Sequence, residues 1–334
     1  MLIEIDRLLA PQWKARVGSI YAGRTFSNDD TAASNQNPKS GMVAISHEFA
    51  TILIAYSSMY GLFLRSVDDA KRRSLKDARA IQIGMRRHFD EIIDLFKEVG
   101  YLALSGSVLL VTPDKQSWRS VEALCEAAEK WTLAHEIAHH VARDMSNRID
   151  KGVERILSGI KAKSSMREEI NGLSKKQRHE VEADLLASLI LSGYFAEQGR
   201  PAIAVHGVIP GAAVALIAVA HHRDEWTNEP GDDHPGCSTR LRILFVMMCE
   251  LFGDEVAYPD DPSRADITLS RSAARLMAFA RWAENAEKAE EFADELRELF
   301  GAPEASSPVL VTAHYAVEFG TAARDYAERH GAAT

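Results

Sequence analysis

The stretch from Trp131 to Val141, WTLAHEIAHHV, constrains this chain more than any other. Apart from its His and Glu residues it carries no charge and no proline, and Arg143 and Asp144 bound it, which predicts a buried helix within Ser117 to Met145. Positions i and i+4 of a helix lie on one face, so His135 and His139 can present two imidazole nitrogens to one metal ion. Glu136 is turned about 100 degrees round the axis from His135, which places its carboxylate beside the metal without making it a ligand. The roles of ligand and general base are thereby separated.

A catalytic zinc site keeps three protein ligands and one open position, so a third ligand is needed from elsewhere. Ala142 and Met145 occupy the places where a metzincin carries glycine and its third histidine, which excludes that class. Downstream, RHEVEADLLA over Arg178 to Ala187 again has helical character, and Glu180 and Asp184 share a face one turn apart. A carboxylate ligand followed by a second carboxylate that accepts the free N–H of a ligating histidine is the usual arrangement around such a metal. Glu182 competes for the ligand role from nearly the opposite face; Glu180 is favoured because only it pairs with Asp184. His179, His221 and His222 are weaker candidates, of a kind more often found as surface or capping groups.

These motifs, with HPGCSTR over His234 to Arg240, resemble those of gluzincin metallopeptidases, particularly the HtpX-like and CAAX prenyl endopeptidases. In size and helical content the chain also resembles soluble phage-exclusion peptidases of the Lit type. The resemblance covers Thr132 to Ile243 and leaves residues 1–100 and 265–334 outside it. It implies Zn2+ as cofactor, a protein or peptide substrate, and hydrolysis of a peptide bond with Glu136 as base. For His234 it implies a catalytic role near the substrate carbonyl or oxyanion, with Arg240 orienting it or pairing with an acidic neighbour. The alternative for this pair is structural, His-Pro starting the following helix and Arg240 in a salt bridge. The alternatives for the whole chain are a catalytically silent sensor or interaction protein of the same fold, and a membrane-associated processing protease.

Composition narrows the field. A net charge of -9 disfavours nucleic acid as a partner, since phosphate binding needs an excess of Lys and Arg on some face. Three cysteines, Cys125, Cys237 and Cys249, without C-x-x-C spacing suggest neither a disulfide framework nor a thiolate zinc site. With acidic residues inside the first apolar stretch, the N-terminus does not read as a secretory signal, and a cytoplasmic location is expected. Phe49 to Leu64 is shorter than the roughly 20 apolar residues of a spanning helix. Ala202 to Ala220 is interrupted by His206, Gly207, Pro210 and Gly211. Both are expected as buried core helices, and no membrane partner is expected.

The fold class expected is mainly α (α+β), a zincin-like core with a small β-hairpin or sheet and additional helices. Residues 1–40 are expected as a flexible or extended lead-in, with an exposed loop over Ser27 to Ser40. Residues 41–334 are expected as one helical catalytic domain, with its motif core at 101–252 and C-terminal helices at 265–330. Helices are predicted over Met42 to Val67, Leu75 to Val99, Ser117 to Met145, Lys151 to Ser164, Ser174 to Gln198 and Thr239 to Leu251. Two more are predicted around Ser270 to Phe300 and Pro308 to His330. Tyr101 to Val111 reads as two short strands joined by a tight turn.

Overall fold

Local chemistry fixes several helix starts. The Asp150 side chain accepts from the backbone N–H groups of Gly152 and Val153 and opens a helix at Lys151, while Ser174 and Gln177 form a reciprocal capping box that opens the next long helix at Lys175. The computed structural model describes residues 1–25, 32–36, 41–70, 94, 115–142, 150–196, 202–223, 225–227, 233–253 and 268–284. In chain order these hold α1 (Leu2–Leu8), α2 (Pro11–Val17), β1 (Ile20–Thr25), β2 (Ala32–Gln36), β3 (Gly41–Ser46), α3 (His47–Ala70) and α4 (Lys115–Ala142). There follow α5 (Lys151–Lys163), α6 (Arg167–Gly172), α7 (Lys175–Leu191), α8 (Ala202–Arg223), α9 (Cys237–Phe252) and α10 (Leu269–Glu284). The protein is thus mainly helical with one small sheet, as expected.

The sheet differs from expectation in place and form. Its order is β1-β3-β2, with β1 parallel and β2 antiparallel to the central β3. Val43 and Ile45 alternate into the core while Met42 points outward beside Tyr21, its partner in register. The helix predicted from Met42 therefore begins only at His47. Ser46 ends the strand and accepts from the backbone N–H of Phe49 at 2.9 Å. The hairpin expected over Tyr101 to Val111 lies outside the described residues, as do the helix predicted over Pro308 to His330 and, apart from helical Asp94, the one over Leu75 to Val99.

The lead-in expected over residues 1–40 is a further correction. Ile5, Leu9, Trp13 and Val17 recur at helical spacing and are buried, so α1 and α2 have a core face of their own. Ala32 to Gln36, inside the expected loop, forms β2. The single domain expected over residues 41–334 also divides. One compact unit comprises residues 1–50 and 126–277, the other residues 51–125 and 278–334.

The first unit holds the sheet, α1, α2, the motif-bearing part of α4, and α5 to α9. Its centre is α8, buried continuously from Ala212 to Ala218. Gly211 allows this helix to press on α4, since a Cβ there would lie 2.7 Å from the backbone carbonyl atoms of Ala127. α9 closes at Gly253, whose φ of 74° is the left-handed conformation that glycine adopts without strain. In the second unit an aromatic cluster joins α3 to the end of α10: the ring centroids of Tyr60 and Phe63 lie 5.1 and 5.5 Å from that of Phe279. Among the described residues no helix is long and apolar enough to cross a membrane.

Candidate metal centre

All the residues of this centre lie in the first unit. α4 and α7 bring three donors together. His135 Nε2 lies 3.2 Å from His139 Nε2 and 3.4 Å from Glu180 Oε2, and His139 Nε2 lies 3.6 Å from Glu180 Oε1. Three donors each 2.0–2.2 Å from a tetrahedral ion stand roughly 3.3–3.6 Å apart, and the spacings here fall close to that range, with the Glu180 carboxylate turning one oxygen to each imidazole. Two imidazoles and a carboxylate also suit a divalent transition metal by ligand type. His135, His139 and Glu180 are thus a group that could hold a metal ion.

The triangle is braced from behind. His135 Nδ1 lies 2.9 Å from Asp184 Oδ1, and in the neutral ring that neighbour favours the proton on Nδ1, with the Nε2 lone pair free for a metal. Asp184 is fully buried and is itself gripped by Arg240 of α9, whose Nε donates to Oδ2 at 2.8 Å and Nη2 to Oδ1 at 2.7 Å. Trp131, one turn before His135, stacks on its ring at a centroid distance of 5.5 Å and donates its indole N–H to Ser188 at 2.9 Å.

Charge follows from these contacts. Burial works against protonating His135, but the contacts to Asp184 and Glu180 outweigh it and raise its pKa to about 10, so a metal ion would bind Nε2 by displacing its proton. His139 moves the other way: burial, then repulsion from His135, lowers it to about 4. Burial also opposes ionising Glu180, yet His135, His139 and Arg240 together hold its carboxyl well below the usual range. Arg240 stays charged, because the ion pair with Asp184 outweighs its desolvation.

The other residues singled out in the sequence fall as follows. Glu136 is half-buried on α4, next to His135. His234 stands at the solvent side, 31% exposed, with Nε2 3.6 Å from Glu180 Oε2 and Nδ1 3.9 Å from Glu225 Oε1. Arg240 pairs with an acidic neighbour, Asp184, rather than orienting His234. Glu182 is away from the triangle in an ion pair with Lys161 of α5. Ser46 caps α3. His140 turns from the metal face toward the sheet, its ring so close to Gly41 that a Cβ there would lie 2.6 Å from Cε1.

Sequence reasoning missed Trp131, although its i, i+4 relation to His135 was a usable signal. It also missed Glu225, which no motif marks. Comparison with protein-family models, with curated proteins and with solved structures finds no match.

Proposed function

We propose that this chain is a zinc-dependent endopeptidase of the gluzincin kind, with His135, His139 and Glu180 as ligands and Glu136 as general base. The observation that carries the reading is the donor group on α4 and α7, backed by Asp184 and Arg240, with Glu136 next to His135 in the same helix. A bound zinc supplies Lewis acidity, which polarises a carbonyl group and makes water acidic near neutral pH.

The chain's own residues supply the rest. Glu136 accepts a proton from the water whose oxygen attacks the scissile carbonyl carbon, and delivers it to the amine nitrogen as the C–N bond breaks. His234, on the solvent side of Glu180, donates a hydrogen bond to the carbonyl oxygen as negative charge develops there. Asp184 and Arg240 act through His135, fixing its tautomer and ring orientation. No serine or cysteine nucleophile is required.

The test is elemental analysis of the purified protein, followed by cleavage of a mixed peptide library by wild type and Glu136→Gln. One zinc per chain is expected in both proteins, with cleavage in the variant lowered by about 10²–10⁴. A wild type that retains no metal after mild chelator washing overturns the site. Zinc without any cleavage favours the catalytically silent reading of the same centre.

A further inference from the structure

The N–H groups of a helix's last turn bond back into the helix, but its last carbonyl groups are satisfied only from outside, so partners there can fix how that turn sits. α4 is described as far as Ala142, and His139 stands in its last described turn. Two carbonyls of that turn accept from groups outside the described helix. Arg16 of α2 donates from Nη1 to the Val141 carbonyl at 2.6 Å, and the backbone N–H of Asp150 donates to the Ala142 carbonyl at 2.9 Å. The other arm of the same guanidinium, Nη2, donates to Asp150 Oδ2 at 2.9 Å. Asp150 meanwhile uses Oδ1 to cap α5. A single side chain thus ties the end of the motif helix to the start of the next one, from a position far away in sequence.

We propose that Arg16 is a positioning residue for the metal centre. By fixing the last turn of α4 it holds the His139 imidazole at its corner of the triangle, so metal affinity depends on the N-terminal segment. The inference rests on reading His135, His139 and Glu180 as metal ligands. The planar fork of arginine is required, because lysine offers a point charge that cannot serve a carbonyl and a carboxylate along two fixed directions. Its positive charge also suits the negative end of the helix dipole.

The same N-terminal segment touches α4 elsewhere, and those contacts define the control. Arg24 of β1 donates to Glu129 at 2.7 Å, and Glu4 of α1 pairs with Lys130 at 2.9 Å. Both engage side chains in the body of the helix, where the backbone groups already have partners within it. Neither contact is expected to govern His139.

The experiment measures Zn2+ and Co2+ affinity of the full chain by competition with a chromogenic chelator, for wild type, Arg16→Gln, Arg16→Lys and Arg24→Gln. Metal-free unfolding curves are recorded alongside, and affinities are compared where every metal-free variant is folded. Arg16→Gln is expected to lose about ten- to hundredfold in affinity and to alter the visible spectrum of bound Co2+. Arg16→Lys should fall between it and wild type, and Arg24→Gln should bind as wild type does. If Arg16→Gln does not fold, the loss expected in Arg16→Lys carries the test alone. Unchanged affinity in the Arg16 variants, or an equal loss in Arg24→Gln, overturns the inference and leaves the metal centre standing. No metal binding by wild type overturns the metal centre and the inference with it.

Discussion

Arg240 and Asp184 are joined by two parallel hydrogen bonds, and both side chains are almost completely withdrawn from solvent. Removing one partner leaves the other as a buried charge, which is costlier than the pair is favourable. Arg240→Ala is therefore expected to destabilise the metal-free protein by about 3–5 kcal/mol, read from urea unfolding. Asp184→Asn keeps the shape but weakens the hold on His135 Nδ1, and should lower zinc affinity by about ten- to hundredfold.

Glu180 and Glu182 separate the two faces of α7. Glu180→Ala is expected to lose zinc under a chelator wash that wild type survives. Glu182→Ala removes only a partly exposed ion pair with Lys161, so it should keep its zinc and lose no more than about 1 kcal/mol of stability. Elemental analysis beside thermal unfolding distinguishes the two, and equal zinc loss in both variants would refute the assignment.

The pH dependence of stability has an identifiable contribution from Asp150. Burial opposes its ionisation, but the Arg16 guanidinium and the N–H groups of Val153 and Gly152 lower its pKa below the ordinary value of 3.8. A carboxyl whose folded pKa is depressed stabilises the fold above its unfolded pKa, and that contribution is lost as pH falls from there through the folded value. Asp150→Asn should therefore be less stable than wild type at neutral pH, and the difference should shrink below about pH 4. Unfolding curves of both proteins across acid pH check this; a gap that does not narrow would rule it out.

Gly211 admits no side chain at its contact with Ala127. Gly211→Ala forces α8 and α4 apart and is expected to cost about 1–3 kcal/mol despite alanine's better helix propensity. A stability equal to wild type in urea would show that the helices separate freely.

The metal residues were legible in the sequence because each pair obeys a local rule. His135 with His139, and Glu180 with Asp184, both stand four apart on a helix, so spacing alone places them on one face. The helices over Lys151 to Ser164 and Ser174 onward were legible for a similar reason, as Asp150 and Ser174 are capping residues. What stayed hidden depends on partners distant in the chain. Strand β3 is six residues long and runs directly into an apolar helix, so Val43 and Ile45 look like that helix's first turn until β1 and β2 flank them. Arg16 is one arginine among many, and nothing near it in sequence announces that Val141 and Asp150 are its partners.

The grip of Arg240 on Asp184 also sets the sign of the field at the centre. Two carboxylates face His135, and the guanidinium binds Asp184 at 2.7 Å but lies 3.9 Å from Glu180, so the negative charge left for a cation belongs mostly to Glu180. A divalent ion held there with neutral imidazoles would leave a net positive site, with half-exposed His234 beside Glu180. Under the function proposed above, such a site would attract the electron-rich oxygen of an incoming carbonyl, whereas the same ligands with Arg240 absent would be electrically neutral.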